Sequence, residues 1–84
     1  MTELQQRVLL YIHTKEDNTI NRTYSWYVRA ISSELEVPES TVKWSLNNLR
    51  AALLIESGTL LERGVPLRLT YPGLTIAEKL SKKM

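Results

Sequence analysis

The run Ile31-Ser32-Ser33-Glu34-Leu35-Glu36-Val37-Pro38-Glu39-Ser40-Thr41-Val42 decides how this chain is read. Its first part closes a stripe of Val28, Ile31 and Leu35, spaced by three and four residues as one face of a helix requires. Pro38 then disfavours helical backbone at Val37 and ends that helix. Ser40 and Thr41 open a second periodic stretch, with Val42, Leu46, Leu49 and Leu53 as its apolar positions. The run therefore predicts a helix from about Trp26 to Glu36, capped by Ser25, a short turn, and another helix beginning near Ser40.

Upstream, Leu4, Val8, Tyr11 and Ile12 repeat at helical spacing and predict a first helix from about Thr2 to His13, with Thr2 as N-cap. The polar stretch from Thr14 to Ser25 carries no apolar period and reads as a loop. Downstream, Leu67 and Leu69 alternate with Pro66, Arg68 and Thr70, the period of a strand. Strands of about 54–62 and 66–70 are expected, with Arg63-Gly64 at the hairpin tip and Pro66 at an edge or strand start. A last helix is expected from about Pro72 to Lys82, with Thr70 near its cap, Ile76, Ala77 and Leu80 inward, and Lys79, Lys82 and Lys83 at its C-terminal end. Three helices, a hairpin and a final helix in that order describe an α+β, mainly α, winged helix-turn-helix.

The residues also carry a family resemblance. The run from Ile31 to Val42 resembles the helix-turn-helix of winged-helix transcription regulators of the MarR and PadR type, including the small regulators of archaea and their viruses. Leu46, Leu49 and Leu54-Ile55-Glu56 resemble the end of that family's recognition helix and the start of its wing. Leu67-Arg68-Leu69-Thr70 followed by Gly73 is similar to its second wing strand and the start of its last helix. The likeness runs from about residue 4 to 82 and implies a DNA-binding regulator. Two positions depart from the pattern: Glu36 and Leu53 stand where the family commonly has glycine. Neither residue type favours left-handed backbone, so helical or open turns are expected there.

Composition narrows the function. With 84 residues the chain has room for one compact domain. It contains no cysteine, which excludes disulfides, thiolate metal sites and a cysteine nucleophile. No secretory signal is expected from the N-terminus, and no apolar run approaches the roughly 18 residues of a transmembrane helix. A cytoplasmic protein without a membrane association is expected. The net charge of +2 is compatible with a nucleic-acid partner. Glu34, Glu36 and Glu39 crowd the helix junction, whereas Lys43, Arg50, Arg63, Arg68, Lys79, Lys82 and Lys83 make the C-terminal half basic.

Helix three has the two sides that groove recognition needs, one seated in the core and one able to reach base edges. At about 100° per residue, Val42, Leu46 and Leu49 share a face, with Ser40, Trp44, Asn47 and Ala51 opposite and Lys43 and Asn48 flanking. Either asparagine could offer donor and acceptor together to adenine, Lys43 could donate to guanine or phosphate, and Trp44 could meet a thymine methyl. Trp44 could equally mark a protein interface or fold back on the hairpin. Ser40, Thr41, Lys43, Trp44, Asn47 and Asn48 are the candidate DNA-contacting residues of the helix, and Arg63 and Arg68 those of the wing. Glu39 reads as a helix-dipole cap, and Arg22 and Arg29 as weaker phosphate contacts.

No enzyme is expected. His13, the one histidine, reads as a C-terminal cap of helix one, and no phosphate loop, nucleophile elbow or metal-ligand spacing accompanies it. No cofactor is implied. The expected protein is a transcription regulator, more often a repressor, that binds double-stranded DNA as a homodimer paired through helix one and/or the C-terminal helix. The rival from another class is a winged helix used as a protein-interaction module in a transcription or replication complex.

Overall fold

A computed structural model describes residues 1–16, 19–57 and 64–83. In these residues the order is α1 (Glu3–Lys15), α2 (Tyr24–Leu35), α3 (Glu39–Ala51), β1 (Ile55–Glu56), β2 (Arg68–Leu69) and α4 (Tyr71–Lys82). Each helix starts where its cap chemistry allows. Thr2 and Gln5 form a reciprocal capping box at α1, which satisfies two of the amide groups a helix start leaves without partners. Thr23, not Ser25, caps α2, by accepting from Trp26 N–H at 3.3 Å. The expected loop is therefore shorter at both ends, because α1 runs on to Lys15 and α2 begins at Tyr24. His13 consequently lies in the last turn of α1, and Glu16 is the C-cap residue.

The three N-terminal helices enclose a core of Val8, Leu9, Ile12, Tyr27, Val28, Ile31, Val42, Leu46 and Leu49. Leu54, Ile55 and Leu67 extend it under the hairpin, and Ala77 joins it from α4, flanked by half-buried Ile76 and Leu80. Helix α1 packs against both α3 and α4, so it is the central pillar of the fold. Burial of this many aliphatic side chains, each worth about 1.5–3 kcal/mol, is what fixes the attitude of α3.

Helix α3 starts at Glu39, slightly before the expected Ser40, and Pro38 is its N-cap without a side-chain cap bond. Its end also differs. The helix stops at Ala51, and Leu53, expected on the apolar stripe, lies beyond it and is 71% exposed. The two junctions of α3 both use left-handed backbone on residues with a Cβ: Glu36 has φ 56° and Leu53 has φ 63°. The helical or open turns expected there are not what forms. Ser32 Oγ, which donates to the Val37 carbonyl at 2.6 Å, braces the first turn. Thr70 Oγ, which donates to the Leu53 carbonyl at 2.6 Å, holds the second.

The hairpin strands are antiparallel, with Ile55 opposite Leu69 and Glu56 opposite Arg68. Among the described residues the regular ladder is two residues long on each strand, and of the expected strands Leu54, Ser57, Pro66, Leu67 and Thr70 lie outside it. Residues 58–63, which include the expected tip residue Arg63, lie outside the described residues. On the other side of β2, the α1–α2 connection adds a third line of pairing: Leu67 N–H donates to the Arg22 carbonyl at 2.8 Å, and Thr23 bridges Pro66. Gly73, in the first turn of α4, is pressed so close to the Leu54 carbonyl that a Cβ there would overlap it.

Candidate nucleic-acid interface

The inner side of α3 is sealed. Val42, Ser45, Leu46 and Leu49 are buried, and the 3.6-residue period carries their opposites outward. Ser40, Trp44, Asn47 and Ala51 are all exposed, Trp44 at 58%. Trp44 does not fold back into the core. Thr41 and Lys43 flank this face and are half-buried. Asn48 stands differently from Asn47: it is half-buried, and its Nδ2 is closed off from solvent with no hydrogen-bond partner. The open asparagine of the helix is Asn47.

One further basic residue joins the face, and sequence reasoning missed it. Arg50 Nη2 reaches Asn47 Oδ1 in a long contact of 3.5 Å, one turn along the helix. Arg50 also lies close to Tyr24: burial pushes that phenol above its ordinary range, and the guanidinium opposes the shift. The available signal was its spacing, since Lys43, Asn47 and Arg50 follow at four and three residues and so share one side of a helix. On the same flank, Arg29 of α2 joins Lys43, Glu39, Tyr24, Ser25 and Val28 around a shallow cleft of about 190 Å³ between α2 and α3. Glu39 stands in the first turn of α3, where its charge complements the helix dipole.

Arg68 of β2 is half-buried, and its Nη2 donates to Asn21 Oδ1 at 2.8 Å. The wing residue is thus attached to the α1–α2 connection. Arg22 of that connection, expected as a weak phosphate contact, is engaged internally. It donates to the Lys15 carbonyl, and its guanidinium lies 4.7 Å from the centre of the Trp26 ring. The same charge opposes the upward shift that burial gives the Tyr27 phenol. Glu16 Oε1 accepts from Leu69 N–H at 3.2 Å, another link between this connection and β2.

Among the described residues, no group of three metal-ligating His, Asp or Glu side chains comes together, and no helix is long and apolar enough to cross a membrane. His13 and Glu16 border an open cleft of about 360 Å³ with Leu69, Thr70, Tyr71 and Leu74.

No family model and no curated protein matches the chain. Solved structures do. ZitR of Lactococcus lactis superposes with a TM-score of 0.73 at 20% identity over 98% of this chain and 49% of that one. ZitR in complex with DNA gives 0.73 at 23% identity, covering 98% of this chain and 51% of that one. MepR, a transcription regulator of the Staphylococcus aureus multidrug efflux pump MepA, gives 0.73 at 22% identity, covering 99% of this chain and 57% of that one. The chain spans about half the length of these proteins. With its helix-turn-helix, antiparallel hairpin and closing helix, the chain has the α+β winged helix-turn-helix fold.

Proposed function

We propose that this chain is a single winged-helix domain that binds double-stranded DNA and regulates transcription in the cytoplasm, as a repressor and without catalysis or a cofactor. The observation that carries the reading is the open face of α3. Ser40, Trp44 and Asn47, with Lys43 at the margin, stand outward on a helix whose reverse side is locked by Val42, Leu46 and Leu49. A helix held this way can enter a major groove without bending, which keeps its side chains in register with the base edges. Arg63 and Arg68 of the wing would grip the flanking backbone, and Arg50 and Arg29 add positive charge beside α3. The fold it shares with ZitR, a protein solved in complex with DNA, supports DNA binding.

Two copies paired through α1 or α4 would set two recognition helices about 34–36 Å apart, one turn of duplex. The run from Ile31 to Val42 resembles MarR- and PadR-type regulators, a group that includes the small archaeal and archaeal-virus proteins, and the chain is proposed to be of that small type. A second reading, docking onto another protein, draws on Leu53 and Tyr71, which are 71% and 83% exposed at neighbouring places on the surface.

Titration of a labelled duplex at two salt concentrations separates the readings. Binding through phosphates weakens steeply with salt, with a slope of about −0.9 per contact, whereas an apolar docking surface is nearly indifferent to it. Arg63→Ala is expected to weaken binding to all duplexes and reduce the slope by about 1, and Asn47→Ala to cost about 1–3 kcal/mol at one base pair. Absence of duplex binding in dilute buffer rejects the proposal.

A further inference from the structure

The outer side of α3 is rich in hydrogen-bond donors and poor in free acceptors. Lys43 and Arg50 carry donors only. Asn47 has both kinds, but Arg50 Nη2 lies at its Oδ1, leaving Nδ2 as its unengaged end. Asn48 cannot substitute through its own Nδ2, which is closed off. Glu39, the carboxylate of the helix, stands in its first turn beside Arg29 and Lys43 at the cleft between α2 and α3. Ser40 contributes a hydroxyl of either polarity.

Base edges in the major groove differ in the complementary sense. Guanine shows two adjacent acceptors, N7 and O6, whereas adenine shows the acceptor N7 beside the N6 amino donor. An asparagine selects adenine when its oxygen can receive that amino group. Here the guanidinium of Arg50 lies 3.5 Å from that oxygen, so the amino group of adenine would have to share the acceptor with a cation beside it. Guanine in the same place would put O6 where Arg50 and Asn47 can both donate.

We infer that the preferred duplex carries guanine, not adenine, at the base pairs that face Asn47 and Arg50, with further guanine or phosphate opposite Lys43. The distance from Lys43 to Arg50 along the axis is about 10 Å at ~1.5 Å per residue. That spans about three base-pair steps of ~3.4 Å, so Asn47 and Arg50, about 4.5 Å apart, face neighbouring pairs and Lys43 a pair about two steps farther on. Trp44 lies within this span and supplies the apolar surface that a thymine methyl fits. The inference rests on the DNA-binding reading and specifies its target.

The test is selection from a pool of randomised duplexes by the wild-type protein, Arg50→Ala and Asn47→Ala, each first shown to be folded by its thermal melt. The wild type is expected to enrich guanine at two or more consecutive base pairs. Arg50→Ala is expected to lose about 5- to 150-fold of the guanine preference at one of them, with adenine gaining there as Asn47 Oδ1 is freed. Asn47→Ala is expected to lose discrimination at the same pair or its neighbour. Enrichment of adenine at the Asn47-dependent pair by the wild type overturns the inference, as does an Arg50→Ala selection identical to that of the wild type. Salt-dependent binding of every duplex without enrichment also overturns it while leaving DNA binding intact. Failure to retain any duplex removes the DNA-binding reading itself.

Discussion

The backbone takes the left-handed conformation at Glu36 and again at Leu53, and the two turns draw their side-chain braces from different places. At Glu36 the brace is local: the cap N–H donates to the Ser32 carbonyl, and the Ser32 hydroxyl donates to the Val37 carbonyl five residues on. At Leu53 the backbone also closes locally, with Leu53 N–H donating to the Arg50 carbonyl and Leu54 N–H to the Leu49 carbonyl, but the side-chain brace is remote, because the hydroxyl that secures the carbonyl belongs to Thr70, seventeen residues later. The first turn fixes α2 against α3 from within the helix-turn-helix. The second is completed only when α4 has docked. A residue with a Cβ in this conformation costs about 1–2 kcal/mol relative to an unstrained one, so each turn persists because its surroundings impose it. The pair shows that α3 is framed by a self-sufficient start and by an end that depends in part on the residue capping α4.

Changes at the dependent end should therefore do the most damage. The largest effect is expected from Gly73→Ala, whose methyl group would occupy the position of the Leu54 carbonyl. A loss of about 3 kcal/mol or more, or failure to fold, should appear in urea denaturation. Next comes Thr70→Val. Its hydroxyl donates to Leu53 and accepts from Gly73 N–H at 3.2 Å, so the substitution removes a turn brace and a helix cap together. About 2 kcal/mol should be lost. Ser32→Ala, at the self-sufficient start, should cost only about 1 kcal/mol in the same measurement. A cost as large as that of Thr70→Val would erase the distinction between the two turns.

The smallest and most informative changes are Glu36→Gly and Leu53→Gly. Relief of the Cβ clash, offset by the extra freedom glycine gives the unfolded chain, should leave each variant about 0.5–1 kcal/mol more stable. In a Thr70→Val background, Leu53→Gly should recover more of the lost stability than Glu36→Gly. Equal recovery would mean that the Thr70 hydroxyl does not specifically hold the Leu53 turn.

These turns also mark where sequence reasoning stops. The helices were legible because Val28, Ile31, Leu46 and Leu49 repeat at the helical period, and the same count turned Trp44 and Asn47 outward. The left-handed turns were not legible, since Glu36 and Leu53 argue against them by residue type, and the backbone closures and the side-chain contacts from Ser32 and Thr70 that oppose the preference leave no sequence pattern. Ser25 looked like the cap of α2 because the helix was expected to begin at about Trp26, whereas Thr23 holds the role and Tyr24 is already helical. Leu53 fell on the leucine spacing of α3 but lies two residues past its end. Arg50 was overlooked at the margin of the outer face, where helical geometry alone does not say that its guanidinium turns toward Asn47. The link between Arg68 and Asn21 joins residues forty-seven apart and leaves no local pattern. Arg63, expected at the wing tip, lies outside the described residues.

The pairing of the α1–α2 connection along β2 has a consequence for behaviour in concentrated solution. An open strand edge is a template on which another chain can add and from which aggregates grow. Here Arg22 and Thr23 pair beside the start of β2, the Arg22 carbonyl takes the Leu67 amide, and Glu16 takes the Leu69 amide. The outward amides at this edge are thus already engaged, and it stays closed to strand addition.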